Sequence, residues 1–306
     1  DVVLEKVFQL SWDAVCKRHG IPVCYIDDEE YHPGMSIIAY GKLGGLEMGY
    51  GSDLDIVFLH DSSGQKQYTN GEKSIDNSQF FSRVAQKVLH FLGTRTHSGI
   101  LYEADTRLRP DGRAGMMVSS VTAFEDYQNN KAWTWEHQAL LRTRTIAGSE
   151  PVRQEFARIR QSVLAVPRDT SKVCADVVEM REKMRTHLAS RDEASINFKQ
   201  DPGGMVDIEF TTQAGMLLNL AEHPEMLSVS STLEFIEYLA AVGWYSSDEA
   251  DDLATAYKLF RQQTNREALE VELPADIKQV LQPHLDRVTE IWNRLVVART
   301  VSETEP

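Results

Sequence analysis

Cysteine is scarce in this chain. Cys16, Cys24 and Cys174 are the three present in 306 residues, an odd number without Cys-x-x-Cys spacing, which excludes a disulfide framework or a zinc knuckle and suits a reducing, cytoplasmic setting. Long apolar runs are also missing: stretches such as Ile56-Val57-Phe58-Leu59 stop after four residues, far short of the ~18 that a membrane helix needs. Basic residues are outnumbered, with 32 Lys and Arg against 46 Asp and Glu and a formal net charge of -14, opposite in sign to the basic face of a polynucleotide binder. Neither nucleic acid nor a membrane is therefore expected as a partner. No basic segment followed by an apolar one opens the chain, and residue 1 is Asp rather than Met, which suggests a portion of a longer protein. The phosphate-binding consensus G-x-x-x-x-G-K-[ST] is absent, as is a G-x-G-x-x-G dinucleotide fingerprint.

What remains is an ordinary globular composition, 42% hydrophobic and 25% charged, in a length that allows two domains. Fourteen of the 18 glycines fall in residues 1–150 and four in 151–306, dividing a turn-rich mixed domain (1–150) from a helical one (151–306). In the first domain, apolar spacing predicts a helix over 2–18 with Gly20 as its stop, and strands over 35–40 and 53–60 on either side of a glycine turn. A polar loop over 61–75, a helix over 76–96 capped by Asp76 or Asn77, and a strand over 100–108 follow. The second domain predicts helices over 172–189, 204–221, 231–242 and 248–268, two of them opened by Ser-x-x-Glu boxes at Ser231/Glu234 and Ser246/Glu249. A last helix carries Ile277, Val280, Leu281, Leu285, Val288, Ile291, Trp292 and Leu295 on a single stripe suited to a helical bundle.

The chemistry-bearing stretch runs Gly41-Lys42-Leu43-Gly44-Gly45, then seven residues, then Asp53-Leu54-Asp55-Ile56. Period-two geometry sets Asp53 and Asp55 on one face and Leu54 and Ile56 on the core face. Two carboxylates this close repel unless a cation lies between them, and hard oxygen donors suit Mg²⁺ or Mn²⁺. The glycines allow backbone N–H groups to approach phosphate oxygens, with Ser52, Gly44 and Gly45 as candidate contacts and Lys42 as either a contact or a solvated turn residue. Taken alone, Asp-x-Asp also reads as a solvated strand cap. The combination with Gly-Gly and an apolar strand on each side resembles the DNA polymerase β nucleotidyltransferase superfamily.

That resemblance implies a third carboxylate from a neighbouring strand. Leu101–Pro110 offers Glu103, Asp105, Arg107 and Arg109 on one face. Asp105 is the preferred third ligand and Glu103 its substitute. Arg107 or Arg109 would clamp a polyphosphate through bidentate contacts, the plainer alternative being a cross-strand ion-pair ladder.

Four blocks in order, Tyr40–Asp61, Ser98–Pro110, Trp133–Arg144 and Gly203–Gln213, resemble the glutamine synthetase adenylyltransferase family, and their wording is similar to its C-terminal, adenylylating half. The resemblance implies an α+β fold, a polymerase-β-like nucleotidyltransferase domain with a mixed sheet followed by an all-α bundle. It also implies an enzyme that moves AMP from ATP to a tyrosine of glutamine synthetase and releases pyrophosphate, so regulating nitrogen assimilation. Asp53, Asp55 and Asp105 would hold the metal, and no dedicated base is assigned. The PII signal protein and glutamine are the regulators implied for the full-length protein, and the deadenylylating half would be missing from this chain. The alternatives are another protein nucleotidyl transfer, uridylylation or deadenylylation, and a non-catalytic partner-binding module. His60, His90, His97, His137 and His187 form no metal-ligating pair and are expected to be structural; His137 is the exception that merits a test for function, the plainer alternative being that its aromatic-rich helix packs in a core. Asp207 and Glu209 either approach the nucleotide cleft or, more simply, favour a helix N-terminus.

Overall fold

The computed structural model describes residues 1–97, 99–188, 197–271, 274 and 276–301. Ser98, at the head of the second family-like block, and residue 189, at the end of an expected helix, lie outside the described residues. The structure is mixed, 58% helix and 14% strand, with a mixed sheet and a helical C-terminal region, as expected for a nucleotidyltransferase fold. It forms two compact units, one of Asp1–Met48, Ser52–Ala132 and Arg142–Val163, the other of Gly49–Gly51, Trp133–Leu141 and Leu164–Pro306.

In the first unit, Leu4, Phe8, Ser11 and Val15 recur every three or four residues and form the buried side of α1 (Val2–His19), which Gly20 ends with φ 81°. β1 (Pro22–Ile26), β2 (Glu29–Tyr31) and β5 (Gln65–Thr69) make a small antiparallel sheet in the order β2-β1-β5. The polar loop expected over 61–75 therefore contains a strand. Gln65–Thr69 is polar because four of its five residues stay at least partly exposed at the sheet edge, and an edge strand carries no apolar alternation to reveal it.

The main sheet is built from β3 (Met35–Ala39) and β4 (Leu54–His60), paired antiparallel from Met35↔His60 to Ala39↔Ile56. Between them lies α2 (Gly41–Gly44). α3 (Asn77–Gly93) is capped by Asp76, whose carboxylate accepts from Ser78 N–H at 2.7 Å. After α3, β6 (Arg95–Thr96) and β7 (Gly99–Ile100) form a small hairpin. β8 (Ala104–Asp105) and β9 (Val118–Ser120) pair parallel with successive parts of β4. α4 (Val121–Asn130) and α5 (Thr134–Leu141) lead to β10 (Arg144–Gly148), which closes the other edge against β3. Leu54, Ile56 and Phe58 of β4 pack with Met35, Ile37 and Ala39 of β3 against Phe80, Phe81, Val84 and Val88 of α3. The alternation expected for Asp53–Ile56 is thus realised, with the apolar partners of the aspartates in the core.

α6 (Glu150–Leu164), α7 (Thr170–Leu188), α8 (Met205–Asn219), α9 (Thr232–Ala241), α10 (Ser247–Ala268) and α11 (Ile277–Leu295) complete the chain. Both Ser-x-x-Glu boxes close reciprocally, at Ser231/Glu234 and at Ser246/Glu249. Six of the eight stripe residues of α11 are buried; Val280 is 56% exposed, because it sits in the first turn, before the helix is covered. The buried carboxylate of Asp207, in the first turn of α8, accepts from Arg181 Nε, from Arg185 Nη2 at 3.0 Å and from Gly203 N–H at 2.6 Å. Glu209 accepts from Tyr257 Oη at 3.2 Å. Asp207 is therefore an interior ion-pair centre of the helical unit, in the first-turn position that the helix dipole favours. His137 meets Arg168 through Nδ1 at 3.1 Å, and Trp133, expected in a core, is 71% exposed because it precedes α5 as its cap, where its N–H donates to Glu136.

His60 is buried, stacked on Phe81 with ring centroids 4.4 Å apart, and its Nδ1 accepts from Ser62 N–H at 3.1 Å. Burial pushes its pKa from 6.5 down to about 4. Above pH 6.5 the ring is neutral folded and unfolded. As pH falls from 6.5 towards 4, the unfolded chain takes up a proton that the folded chain refuses, and stability drops by up to about 3 kcal/mol. His60→Gln, which keeps an acceptor for Ser62, is expected to flatten that part of the stability curve, measured by urea unfolding at about pH 7 and about pH 4.5.

Candidate functional site

The ladder between β4 and β8 organises the site. Its parallel register pairs Leu54 with Ala104 and Asp55 with Asp105, and Leu54 N–H donates to Glu103 O at 2.8 Å. Side chains at paired positions of a ladder share a face, so Asp55 and Asp105 stand side by side. Asp53, exposed, lies one alternation upstream, just before β4 begins. Glu103 is exposed and precedes β8.

The strand expected over 100–108 is broken: Ile100 ends β7 and Ala104–Asp105 form β8, so Arg107 and Arg109 do not continue the face. The physical reason is local: the Asp105 carboxylate accepts from Arg107 N–H at 2.8 Å and bends the chain into a turn. The Arg107 side chain folds back, donating from Nε to Asp105 Oδ2 at 2.6 Å, with Nη2 also against that oxygen. This hydrogen bond holds the Asp105 carboxyl below the usual carboxylate range, against the opposing effect of its partial burial. Arg107 is raised in turn by Asp105 and, more weakly, by Asp55 and Asp53, which places one guanidinium within the field of all three carboxylates. Arg109 is committed elsewhere: it donates to Thr106 O at 2.8 Å, Thr106 Oγ1 at 2.9 Å and Gly115 O at 3.3 Å, tying its own loop together.

The glycine turn is built by close approach. Gly41 has φ +55°, and a Cβ there would lie 2.4 Å from Asp55 Oδ2, so the carboxylate rests directly on the backbone. A Cβ on Gly44 would lie 2.0 Å from Arg142 O. The N–H groups of Gly44 and Gly45 donate to Tyr40 O at 2.8 Å and Gly41 O at 3.0 Å. These glycines let the turn pack tightly, and their amides serve the turn itself. Lys42, within α2, and Ser52, next to Asp53, are half-buried.

Residues outside the sequence-based candidates hold this turn in place. Glu47 and Arg142, 4% and 5% exposed, form an ion pair across 95 residues of sequence, through Glu47 Oε2 and Arg142 Nη2. Arg144 Nη2 donates to Leu43 O at 3.1 Å and pairs with Asp1. The signal for this strap was present, since Glu47 and Arg142 both fall within family-like blocks, but nothing in spacing says that the two meet.

Carboxylate oxygens are the donors a hard divalent cation requires; Asp55 and Asp105 are paired on one ladder, Asp53 lies just upstream, and Arg107 is already beside them as a cation. Among the described residues, no group of three or more His, Cys, Asp or Glu is drawn together to hold a metal ion. The donor chemistry of the set suits such an ion, while Arg107 holds the place beside Asp105. No described helix is long and apolar enough to cross a membrane.

A family model described as glutamate-ammonia ligase adenylyltransferase matches residues 1–159, and one described as GlnD PII-uridylyltransferase matches residues 176–269. The bifunctional glutamine synthetase adenylyltransferase/adenylyl-removing enzyme of Thioalkalivibrio sulfidiphilus is 47% identical over 297 residues, covering 97% of this chain and 30% of that protein. The protein of the same description from Pseudomonas aeruginosa is 42% identical over 307 residues, covering 96% of this chain and 31% of its own. The chain thus spans about 30% of the length of the curated relatives it matches.

Breaking the buried pair should be costly, since it strands one charge away from water. Glu47→Leu or Arg142→Met alone is expected to lower unfolding stability by about 3–5 kcal/mol, and the double replacement to recover most of that loss. Urea unfolding of the two single variants and the double variant checks this.

Proposed function

Because the chain belongs to the glutamate-ammonia ligase adenylyltransferase family, we propose that it transfers AMP from ATP to a tyrosine hydroxyl of glutamine synthetase and releases pyrophosphate. The observation that carries this reading is the side-by-side pairing of Asp55 with Asp105, with Asp53 and Arg107 beside them, inside the segment the family model matches. Asp53, Asp55 and Asp105 are the residues that would hold Mg²⁺ or Mn²⁺. Such an ion, when bound, neutralises the polyphosphate and favours the ionised form of an attacking hydroxyl.

The chain's own residues supply the rest. Arg107, which lies 62% exposed over the acidic face, exchanges Asp105 for the nucleotide's phosphates, where a planar guanidinium makes paired contacts. Gly41 keeps the Asp55 carboxylate against the turn, and the strap of Glu47 and Arg142 fixes that turn. Lys42, Ser52 and the Gly44–Gly45 turn border the phosphates. Arg109 keeps the loop that carries Arg107 in shape. A phenol, with its pKa near 10, needs less help than an alcohol to lose its proton, so no dedicated base is assigned.

The chemistry is assigned to the domain of residues 1–150, and the helical domain, 151–306, carries the stretch similar to a PII-uridylyltransferase. On that similarity PII is a proposed regulatory partner, glutamine a proposed effector of the longer protein, and the cytoplasm the proposed location. The same similarity is the one observation that favours a second reading, uridylyl transfer from UTP. It falls outside the carboxylate ladder, so the first reading is preferred.

Incubation of the chain with glutamine synthetase, Mg²⁺ and either ATP or UTP, followed by intact-mass analysis, separates the two. The expected outcome is a gain of one AMP per modified subunit with ATP alone; a gain with UTP alone supports uridylylation, and no gain with either overturns both. Asp53→Asn, Asp55→Asn and Asp105→Asn are each expected to lower the rate by about 10²–10³-fold with the fold retained by circular dichroism. Arg107→Ala should act mainly on ATP, raising KM about tenfold, about 1.4 kcal/mol of lost binding.

A further inference from the structure

We propose that two exposed apolar stretches flanking the carboxylates, Leu46 on the glycine turn and Ile100-Leu101-Tyr102 ahead of β8, form the docking surface for the tyrosine-bearing segment of the acceptor protein. The inference rests on the AMP transfer proposed above and deepens it, since it names residues that select the acceptor rather than the nucleotide. Both stretches are tied to the acids by the backbone. The turn that carries Leu46 receives the Asp55 carboxylate at Gly41, and Tyr102 stands three residues before Asp105, at most about 11 Å along the chain.

Leu46 is at odds with its position on two counts. α2 ends in a Schellman pattern, with Glu47 N–H donating to Lys42 O at 2.8 Å and Leu46 N–H to Leu43 O at 3.4 Å, and the residue that closes such a pattern is left-handed and usually glycine. Leu46 has φ 57°, a conformation strained for a residue with a Cβ. It is also 69% exposed, so burial within the chain does not offset that strain. Stability favours glycine here and solubility a polar residue, and a large apolar side chain serves neither. Contact with a second molecule supplies the missing burial.

Ile100, Leu101 and Tyr102 are all exposed, and among the described residues no other three consecutive large apolar side chains are. Alternation along an extended chain normally turns one of two successive side chains inward, so a run exposed throughout marks a surface with a function. Its backbone is fixed at each step: Ile100 pairs with Arg95 in the β6–β7 hairpin, Tyr102 N–H donates to Leu92 O at 3.3 Å, and the next residue, Glu103, accepts from Leu54 N–H at 2.8 Å. A surface ordered in advance loses little freedom on binding. The reaction indicates what lies on it. A tyrosine side chain is short, so the polypeptide that bears the acceptor hydroxyl must run past whatever borders the carboxylates. The nucleotide's phosphates call for cations and amides instead, which leaves the apolar ground to the acceptor. A second copy of this chain seated there would shut that acceptor out.

Leu46→Gly and the double variant Ile100→Ser/Leu101→Ser, each in the intact chain, test the proposal. Each is expected to raise KM for glutamine synthetase about tenfold, with KM for ATP and kcat unchanged, and to weaken nucleotide-free binding to immobilised glutamine synthetase to the same degree. Leu46→Gly should do so while leaving the urea unfolding midpoint unchanged or higher, because glycine relieves the left-handed strain. A merely structural leucine would move the midpoint and not the acceptor KM. A rise in KM for ATP instead, an unchanged acceptor KM in either variant, absence of binding by the parent chain, or a dimer in sedimentation velocity that the variants dissociate overturns the proposal. Binding without nucleotide separates this inference from the activity. A parent chain that binds glutamine synthetase through these residues yet transfers no AMP refutes the activity and leaves the docking surface standing; AMP transfer by both variants at the parent's acceptor KM does the reverse.

Discussion

Like charges set against one another across a β-ladder govern this protein's first unit. Asp55 and Asp105 are paired in register, with Asp53 just upstream, and such a row of carboxylates is unfavourable unless something positive lies over it. In the structure that counter-charge is Arg107, drawn back onto Asp105 and felt by all three acids. That cost is the physical basis of the proposal that the face takes a divalent cation and a polyphosphate.

Holding the face in place is the work of a tightly packed turn. Gly41 admits the Asp55 carboxylate against its backbone, and Gly44 admits the carbonyl of Arg142. The buried Glu47–Arg142 pair then locks the turn to a segment 95 residues away. A buried ion pair is a poor device for net stability but a strict one for geometry, because either partner left alone is a stranded charge. Asp207, held by Arg181 and Arg185, follows the same design in the helical unit. Each unit therefore contains an interior charge centre of this kind, and in the first it adjoins the candidate chemistry.

Sequence periodicity proved a good guide wherever an element has one wet face and one dry face. α1, α3, β4 and α11 were legible for that reason, as were the two capping boxes, which are local hydrogen-bond patterns with fixed spacing. It failed where neither condition held. β5 is too polar to alternate, β8 is two residues long, and the reach of the expected face through Arg107 and Arg109 ended in a turn made by Asp105's own side chain.

Read alone, the amino-acid order determined that Asp53 and Asp55 would share a face opposite a core of Leu54 and Ile56, because alternation along a strand is a property of the backbone. It also determined the family, through four blocks of residues in order, and the acidic, cysteine-poor character of the chain. Tertiary structure alone decided that Asp105 would stand beside Asp55, that Arg107 would turn back over the acids while Arg109 stapled its loop, and that Glu47 would find Arg142. Those are matters of register, loop closure and the pairing of distant charges, and they depend on free energies summed over the whole folded unit rather than on any local spacing.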